Sequence, residues 1–388
     1  MTSCAIFKII ALMRTESRYV LVMISPYSQP RMNGIAKFAK EHRWSLVFAD
    51  RLEDYDSLTG FDGILMALRD KPAMVKTANR ILADAIPVVD LTIERPDVQM
   101  PRVVSDHRAI GEAAAQHFIE RGFDNFAWFS ASWSHVHELR YEGFRSALPE
   151  GTRPAKWHAK TVFEDLASTP KPVAVFAYNE PDAARLVFSC RSAGVSVPME
   201  VSIVGVGNDP ILSENQEITI SSVDQNLSEA AYAAAARLEK LMSMPPSRRK
   251  AAFSAKPIMM PPGSIVARDS SDTLAHSNPK IRAAMVYIHS HLGKAFGARE
   301  VAAGIGITRR RLDTLFATEL HRSVGDEILR QRMLRVKRLI MDRTLPLKAI
   351  ASACGFCNAA YLTNLFHRET GMSPRKWRAK QSAKAGVG

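Results

Sequence analysis

The stretches VAAGIGITRRRLDTLF (residues 301–316) and IASACGFCNAAYLTNLF (residues 350–366) carry one pattern twice. Each has an Ala, a Gly four residues later, an apolar residue, a short turn, and then Leu and Phe four residues apart. This spacing predicts a helix, a tight turn at Gly306 or Gly355, and a second helix that packs on the first. The motif is a helix-turn-helix, whose second helix can lie in the major groove of DNA. Two copies predict a protein that contacts two successive major grooves.

The positive charge of the chain is concentrated in the same region. The whole sequence has 52 Lys and Arg against 39 Asp and Glu, and residues 274–388 alone have 21 against 7. The residues before position 274 are therefore almost neutral. A cationic segment binds a polyanion such as double-stranded DNA by releasing counterions. The alternative, a disordered basic tail, would lack the regular apolar spacing of the repeat.

In the first copy, Thr308 is the predicted N-cap of the second helix. Arg309, Arg310 and Asp313 then project from the exposed face, where Arg can pair with guanine. Successive helical residues diverge by about 100°, so at least one residue from Arg309 to Arg311 should contact phosphate instead. The alternative is a solvated charged face that does not touch DNA.

In the second copy, Asn358 is the predicted cap, and Ala360, Thr363 and Asn364 face the groove. Their chemistry suits contact with thymine methyl groups and pairing with adenine. Between the copies, residues 323–344 have helical spacing and contain no Pro. This predicts a stiff helix that holds the two DNA-reading helices about 34 Å apart.

Length and composition indicate a soluble protein of two or three domains, since the chain has 388 residues, 46% hydrophobic and 23% charged. We find no apolar run long enough to span a membrane. The apolar residues 5–13 are interrupted by Lys8 and lack a cleavage site, so they do not indicate a signal peptide. Met13 is an alternative start. We expect a cytoplasmic protein.

The four cysteines are Cys4, Cys190, Cys354 and Cys357, too few for a disulfide framework. Cys354 and Cys357 form a C-x-x-C without a second pair of ligands, so no metal site is predicted. Cys354 replaces the apolar Ile305 of the first copy, which predicts packing in the core. The sequence shows no phosphate-binding Gly-rich loop and no catalytic Ser, His and Asp pattern, so we predict no catalytic residues and no cofactor.

Residues 18–270 alternate short β-rich runs with helical stretches, which predicts parallel sheets covered by helices. Ligands of such sheets bind outside the carboxyl ends of the strands. The polar residues at those ends are therefore candidates for a ligand pocket: Asp106, Asn179, Asn208 and Gln225.

This part of the chain resembles the ligand-binding core of the lactose-repressor and galactose-repressor family. The resemblance rests on residues 103–130, 138–148 and 172–226, and on PIMMPPGSIVARDS at 257–270, which resembles the closing strand. It implies a periplasmic-binding-protein-like fold of two α/β lobes around a hinge. Members of this family carry a helix-turn-helix at the N-terminus, and this sequence shows none there.

By position, the resemblance implies that Asp106, Arg140, Asn179 and Gln225 hydrogen-bond sugar hydroxyls, which suits their chemistry. Each has a structural alternative: a helix N-cap for Asp106, an ion-pair partner for Arg140, and partners of loop backbone for the two amides. Two positions depart from the family pattern. Gly207 stands where an Asp is usual, so Asn208 or Asp209 would have to replace that acceptor, and Glu180 stands where Asp is frequent.

The C-terminal repeat resembles the AraC-type DNA-binding domain, because Gly371, Pro374 and Arg378 match its closing G-x-x-P-x-x-x-R. A sensor followed by such a domain resembles the xylose-operon regulators within that family. The family often has Arg where Thr314 and Asn364 stand, so the base preference should differ. The predicted domains are an N-terminal extension at 1–17, an α/β two-lobed sensor at 18–270, a linker at 271–279, an all-α double helix-turn-helix domain at 280–380 and a tail at 381–388.

These observations predict a ligand-responsive transcription regulator that binds operator DNA and a small effector, with a sugar as the expected class. The resemblance favours activation, a homodimer and RNA polymerase as a further partner. One alternative is a constitutive DNA-binding protein whose sensor serves only for dimerisation. Another is a Cys-dependent DNA-repair enzyme that carries the same type of DNA-binding domain.

Overall fold

The computed structural model describes residues 17–49, 60–273, 278–340 and 345–384. The chain divides into two units, Met1–Leu274 and Ala275–Gly388. Within the described residues the first unit alternates strands and helices and the second is helical, as the sequence predicts. The predicted N-terminal extension, including Cys4 and Met13, lies almost entirely outside the described residues.

The strands of the first unit are β1 (Arg18–Met23), β2 (Trp44–Phe48), β3 (Gly63–Met66), β4 (Val88–Asp90), β5 (Val103–Ser105), β6 (Phe126–Ser130), β7 (Ala155–His158), β8 (Val173–Ala177), β9 (Val201–Gly207), β10 (Ser221–Asp224), β11 (Ile258–Met260) and β12 (Ile265–Val266). Its helices are α1 (Gln29–Glu41), α2 (Pro72–Ala83), α3 (His107–Ile119), α4 (His135–Ala147), α5 (Val162–Ser168), α6 (Glu180–Ser192), α7 (Pro210–Glu214), α8 (Leu227–Met242) and α9 (Pro246–Phe253).

The first lobe is built on a parallel sheet with the strand order β2-β1-β3-β4 among the described residues. Helices α1 and α8 cover one face, and Ile35, Phe38 and Leu238 join the strands in one apolar core. The two helices approach closely at Gly34, where an added Cβ would lie 2.0 Å from the Ser228 carbonyl oxygen. Only Gly allows this contact between the helix backbones.

The second lobe has the strand order β12-β10-β9-β8-β6-β7 in the described part of the chain. Its strands run parallel except β12, which is antiparallel to β10. Helices α3 and α4 pack backbone against backbone through Gly111 and Gly143, since a Cβ on either would lie 2.1 Å from a carbonyl oxygen of the other helix. This contact fixes the position of α4 and therefore of Arg140, which α4 carries.

The described chain crosses between the lobes after β5, after β10 and after β11. These crossings are joined to one another: β5 pairs with β11, the Asp106 amide donates to Met260 O (2.7 Å), and the Ser105 hydroxyl donates to Gln225 O (3.0 Å). The crossings therefore form a hydrogen-bonded hinge. Asp106 and Gln225, two of the predicted pocket residues, lie within it.

The helices of the second unit are α10 (Pro279–His291), α11 (Ala298–Gly304), α12 (Arg309–Leu320), α13 (Val324–Leu339), α14 (Leu347–Ala353), α15 (Ala359–Thr370) and α16 (Pro374–Lys384). Helices α11 and α12 form the first predicted helix-turn-helix, and α14 and α15 form the second. Helix α13 joins them and accounts for most of the helix predicted at 323–344. Its 16 residues correspond to about 24 Å of helix.

Two predicted boundaries need correction. Ser271 and Thr273, placed in the linker by the sequence, are buried in the first unit, and the Ser271 hydroxyl lies 2.8 Å from His117 Nε2. A Ser-rich stretch signals a loop, but these hydroxyl groups find buried partners instead. At the other end α16 continues to Lys384, which lies inside the predicted tail.

Candidate functional site

Arg140 and Gln225, two of the predicted pocket residues, are brought together by the fold. Arg140 is 3% exposed. Its Nη2 donates to Gln225 Oε1 (2.8 Å), its Nη1 to the Tyr178 carbonyl oxygen (2.5 Å) and its Nε to His107 Nδ1 (3.4 Å). Burial lowers the pKa of this guanidinium below its usual value. A buried cation thus links α4, the end of β8 and the hinge.

Tyr178, which the sequence does not single out, lies beside Arg140 and stacks with His137. The guanidinium carbon lies 4.7 Å from the centre of the Tyr178 ring, and His137 stacks on that ring with centroids 3.4 Å apart. Burial, and then the charge of Arg140, holds the pKa of His107 well below its usual value and lowers that of His137 to about 4. Both imidazoles are therefore neutral near pH 7. The position of Tyr178, directly before Asn179 at a strand end, is the signal that could have identified it.

Asp106 and Asn179 have the capping roles that the sequence leaves open as alternatives. Asp106 Oδ1 accepts from the backbone amides of Arg108 (3.1 Å) and Ala109 (3.0 Å). Asn179 Oδ1 accepts from the amide of Asp182 (2.8 Å) at the start of α6. Both residues lie at the carboxyl edge of the strands, where the pocket is predicted, and each uses one side-chain oxygen to begin a helix.

Gly207 and Glu180, the two departures from the family pattern, are in contact. Gly207 has a φ of +149°, and a Cβ there would lie 2.5 Å from Glu180 Oε2. The Glu180 carboxylate is 1% exposed and accepts from the Ser222 hydroxyl (2.6 Å) and the Asp209 amide (3.1 Å). Burial raises its pKa. The longer carboxylate therefore fills the space that a side chain at position 207 would need.

Asn208, the expected substitute for the missing Asp, is also held within the second lobe. Its amide donates to Asp224 Oδ2 (3.2 Å), and its Oδ1 accepts from Arg268 Nη2 (2.9 Å). Its backbone is left-handed, with a φ of +61°. Asn208 thus ties β9 to β10 and to the strand that closes the sheet, which is a structural role.

The first lobe contributes two arginines, Arg31 on α1 and Arg69 after β3. Burial, and then the charge of Arg69, lowers the pKa of Arg31 to about 10. Asp90 acts in the opposite direction, and Arg140 of the second lobe adds to the lowering. Arg69 Nη1 lies 3.6 Å from Glu94 Oε1. The sequence analysis missed these residues because their chemistry appears only when both sheet edges face each other.

The first DNA-reading helix, α12, has the predicted cap, since Thr308 Oγ1 accepts from the Arg311 amide (3.3 Å). All three predicted arginines and Asp313 are exposed, and Arg309 Nε lies 3.5 Å from Asp313 Oδ2. Leu312 is fully buried. Arg310 lies about 200° around the helix from Leu312 and so points most directly away from the core.

The second DNA-reading helix, α15, begins at the predicted cap, where Asn358 Oδ1 accepts from the Tyr361 amide (2.8 Å). Ala360 and Asn364 are exposed, whereas Thr363 is half-buried and its hydroxyl donates to Ala359 O (2.8 Å). Tyr361 is 52% exposed. It occupies the place of Arg311 in the first copy, so the repeat offset could have identified it as a further candidate DNA contact.

Helix α13 contains a buried carboxylate that binds the segment before it. Glu327 is 1% exposed and accepts from Arg322 Nη1 (2.8 Å), Arg330 Nη2 (2.8 Å) and Gln331 Nε2 (2.8 Å). Burial acts to raise the pKa of this carboxyl, but the hydrogen bonds and charge of its partners bring it below the usual value. Arg332 on the same helix donates to Lys294 O (2.7 Å) and lies over the Phe296 ring.

Two of the three described cysteines are buried. Cys190 and Cys354 are fully buried, and Cys354 packs with the core of the second copy as predicted. Burial raises the pKa of Cys190 to about 12, so the thiolate is disfavoured at neutral pH. Cys357 is exposed in the turn. Within the described ranges no cluster of three His, Cys, Asp or Glu could hold a metal ion, and no helix is long and apolar enough to cross a membrane.

Two family models match the chain. A model described as periplasmic binding protein-like domain matches residues 115–271, and one described as helix-turn-helix domain matches residues 301–380. The first match covers most of the second lobe and the hinge, and the second covers both DNA-reading helices.

Relatives of known function match nearly the whole length. The xylose operon regulatory protein of Haemophilus influenzae is 24% identical over 391 residues, covering 94% of this chain and 99% of that protein. The protein of the same name from Escherichia coli is 23% identical, covering 91% of this chain and 94% of that protein. The solved structure of the xylose-binding transcription activator xylR covers 94% of this chain and 98% of its own, with a TM-score of 0.74 and 19% identity.

Both halves of the sequence prediction are thus confirmed at the level of fold, and the relatives are regulators rather than enzymes. The chain is therefore a homologue of the xylose operon regulatory proteins, a transcription regulator in which a periplasmic-binding-protein-like domain precedes an AraC-type double helix-turn-helix domain.

Proposed function

We propose that this regulator responds to a sugar-like effector that binds between the lobes of the first unit and alters its binding to DNA. The observation that carries the proposal is the position of Arg140. Its guanidinium joins Tyr178 and Gln225 at the carboxyl edge of the second lobe, and its charge contributes to the lowered pKa of Arg31 in the first lobe. This edge is where ligands of parallel sheets bind.

The hinge is the place where effector binding would change the arrangement of the two lobes. Gln225 lies between β10 and α8, where the chain passes from one lobe to the other, and Asp106 lies at a second crossing. An effector that hydrogen-bonds these residues only in the closed arrangement shifts the population toward it. The coupling to DNA equals the difference in effector affinity between the two arrangements.

At the DNA end, α12 and α15 are the elements proposed to enter two major grooves. Arg309, Arg310 and Arg311 supply guanine and phosphate contacts, and Ala360 and Asn364 supply thymine and adenine contacts. The helix caps Thr308 and Asn358 orient these residues, and their exposed ends suit contacts to phosphate. We propose that the protein acts as a cytoplasmic homodimer, which activates transcription and contacts RNA polymerase.

Purified full-length protein tests the proposal in two steps. Thermal shift against pentoses, hexoses, sugar acids and sugar phosphates should yield a ligand that stabilises the protein by about 2.7 kcal/mol at 100 times its dissociation constant. The same ligand should change the affinity for a DNA site selected from a random library. Arg140→Gln should abolish both effects, whereas Arg145→Gln, an exposed position on the same helix, should preserve both.

One set of contacts favours a second candidate, a constitutive regulator whose first unit only dimerises. Asp106, Asn179 and Asn208 all make internal hydrogen bonds, so the cleft is partly satisfied without an effector. A protein that binds its selected DNA equally well with every compound tested, and that no compound stabilises, would support this second candidate.

A further inference from the structure

Three arginines from different elements lie near the strand edges that border the cleft between the lobes of the first unit. Arg31 lies near the start of α1 and Arg69 follows β3, so both lie at the carboxyl ends of the neighbouring parallel strands β1 and β3, and Arg140 lies on α4. Burial and then the charge of Arg69 lower the pKa of Arg31 to about 10, Asp90 acts against them, and Arg140 adds to the lowering. Positive charges that lie near one another in a partly desolvated cleft repel one another.

The acidic groups nearby balance these charges only in part. Glu94 lies 3.6 Å from Arg69. Asp90 is fully buried and accepts from Arg102 Nε (3.0 Å) and from the Leu68 amide (3.0 Å), so its charge is already matched. Asp106 stands at the hinge and caps α3.

The arginines of the first lobe also retain unused hydrogen-bond donors. Among the described residues, Arg31 makes no hydrogen bond or ion pair, and it is half-buried. Arg69 Nε is buried and lacks a partner there. Donors of this kind, held in a partly desolvated cleft, are suited to an oxyanion that accepts paired hydrogen bonds.

Position 207 of the second lobe offers no side-chain acceptor to a neutral sugar. Gly207 has no side chain, and the Glu180 carboxylate already accepts hydrogen bonds from the Ser222 hydroxyl and the Asp209 amide. Sugar hydroxyl groups need acceptors as well as donors, whereas a carboxylate or phosphate needs donors only. The cleft has therefore lost an acidic acceptor and retains an excess of cationic donors.

We propose that the effector is an anion, a sugar acid or a phosphorylated sugar, whose carboxylate or phosphate binds Arg31 and Arg69 while Arg140 and Gln225 contact the sugar end. This inference rests on the proposed function of the same cleft and specifies the chemical class of its ligand. An anion would neutralise the repulsion among the arginines and so favour the closed lobes, which couples binding to the hinge.

The experiment uses full-length protein and compares neutral sugars with acids and phosphates of the same carbon number. One set is glucose, gluconate, glucuronate and glucose 6-phosphate, and a second is xylose, xylonate and xylulose 5-phosphate. Thermal shift and titration calorimetry are run on the natural protein, on Arg31→Gln and on Arg69→Gln. Arg80→Gln, an exposed position on α2, is the control for a general change of charge.

We expect charged compounds to bind and their neutral counterparts to bind at least about 10-fold more weakly. Arg31→Gln and Arg69→Gln should each weaken the anion by about 10- to 100-fold, the range for a hydrogen bond to a charged group. The preferred compound within a set then separates a carboxylate from a phosphate, and the preferred set separates a six-carbon from a five-carbon effector. In the absence of ligand, Arg31→Gln should raise Tm by about 2 °C or more because it relieves repulsion.

Other results overturn the inference in distinguishable ways. A neutral sugar that binds as tightly as its acid and phosphate, with affinity unchanged in Arg31→Gln, refutes the anionic effector but retains the sugar-responsive regulator. Binding of no compound in either set, together with unchanged DNA affinity, refutes both proposals. An anion that binds the natural protein, Arg31→Gln and Arg69→Gln equally well lies elsewhere on the surface and also refutes the site.

Discussion

Replacing Gly355 with Ala should destabilise the second unit far more than replacing Gly306, although the two glycines hold the same place in their repeats. Both are left-handed, with φ values of +71° and +67°. An L-residue pays about 1–2 kcal/mol for that backbone conformation. The backbone cost is therefore common to the two substitutions and cannot distinguish them.

The difference comes from the surroundings of the added methyl group. At Gly306 an ideal Cβ meets nothing within 4 Å. At Gly355 it would lie 2.7 Å from Leu292 O, 2.8 Å from Lys294 O and 2.9 Å from Arg332 Nη2. Two of these atoms belong to backbone and cannot rotate away, so overpacking adds about 1–3 kcal/mol. We expect about 1 kcal/mol for Gly306→Ala and about 3 kcal/mol for Gly355→Ala.

Hydrogen exchange of the full-length protein measures both values, because opening of α14 and α15 can be followed separately from α11 and α12. Gly355→Ala should increase exchange in the second copy and weaken DNA binding, while Gly306→Ala has a small effect on either. If the two substitutions cost the same within about 0.5 kcal/mol, the reasoning from the packed turn is wrong.

Three further predictions concern the DNA interface, the acid stability and the altered pocket. Arg309→Ala should weaken specific DNA binding by about 1–3 kcal/mol in an anisotropy titration without loss of fold. The control Arg80→Ala should leave DNA binding unchanged. An unchanged footprint for Arg309→Ala would remove Arg309 from the interface. His117 has a pKa lowered to about 3, chiefly by burial, so its neutral form stabilises the fold fully above pH 6.5 and that contribution falls as the pH drops toward 3. Between pH 7 and pH 5 the free energy of unfolding should fall by about 2 kcal/mol through this residue. Urea unfolding at the two pH values should show a smaller fall in His117→Gln than in the natural protein. An equal fall in both proteins contradicts the assignment to His117. Gly207→Ala should cost about 2 kcal/mol by the clash with Glu180, and adding Glu180→Asp should recover part of it; no recovery would mean that the carboxylate is not the obstacle.

The DNA-binding half could be predicted almost completely from the sequence. A helix-turn-helix depends on local features, namely a cap such as Thr308 or Asn358, a left-handed Gly and apolar residues at helical spacing. These act within about twenty residues, so they can be read from the chain itself. Tyr361 could also have been identified from the repeat offset, because it stands where Arg311 stands in the first copy.

The pocket could be predicted only in part, for a physical reason. The sequence names Arg140 and Gln225 as pocket residues by position in a resembled family, and the structure joins them by a hydrogen bond of 2.8 Å; their contact with a ligand stays a prediction. It leaves open whether Asp106 and Asn179 are ligands or caps, because one carboxylate or amide can serve either purpose. The structure shows the capping role, and it shows that Asn208 is held by Asp224 and Arg268.

Periodicity, charge distribution and local turn signals determine the class of this protein, its two-part organisation and the location of its DNA-reading helices. The tertiary structure alone decided which distant residues meet: Glu180 with Gly207, and Arg140 with Gln225. Electrostatic interactions and steric contacts depend on separation in space, and residues far apart in the chain acquire that separation only when the sheets and the hinge are assembled.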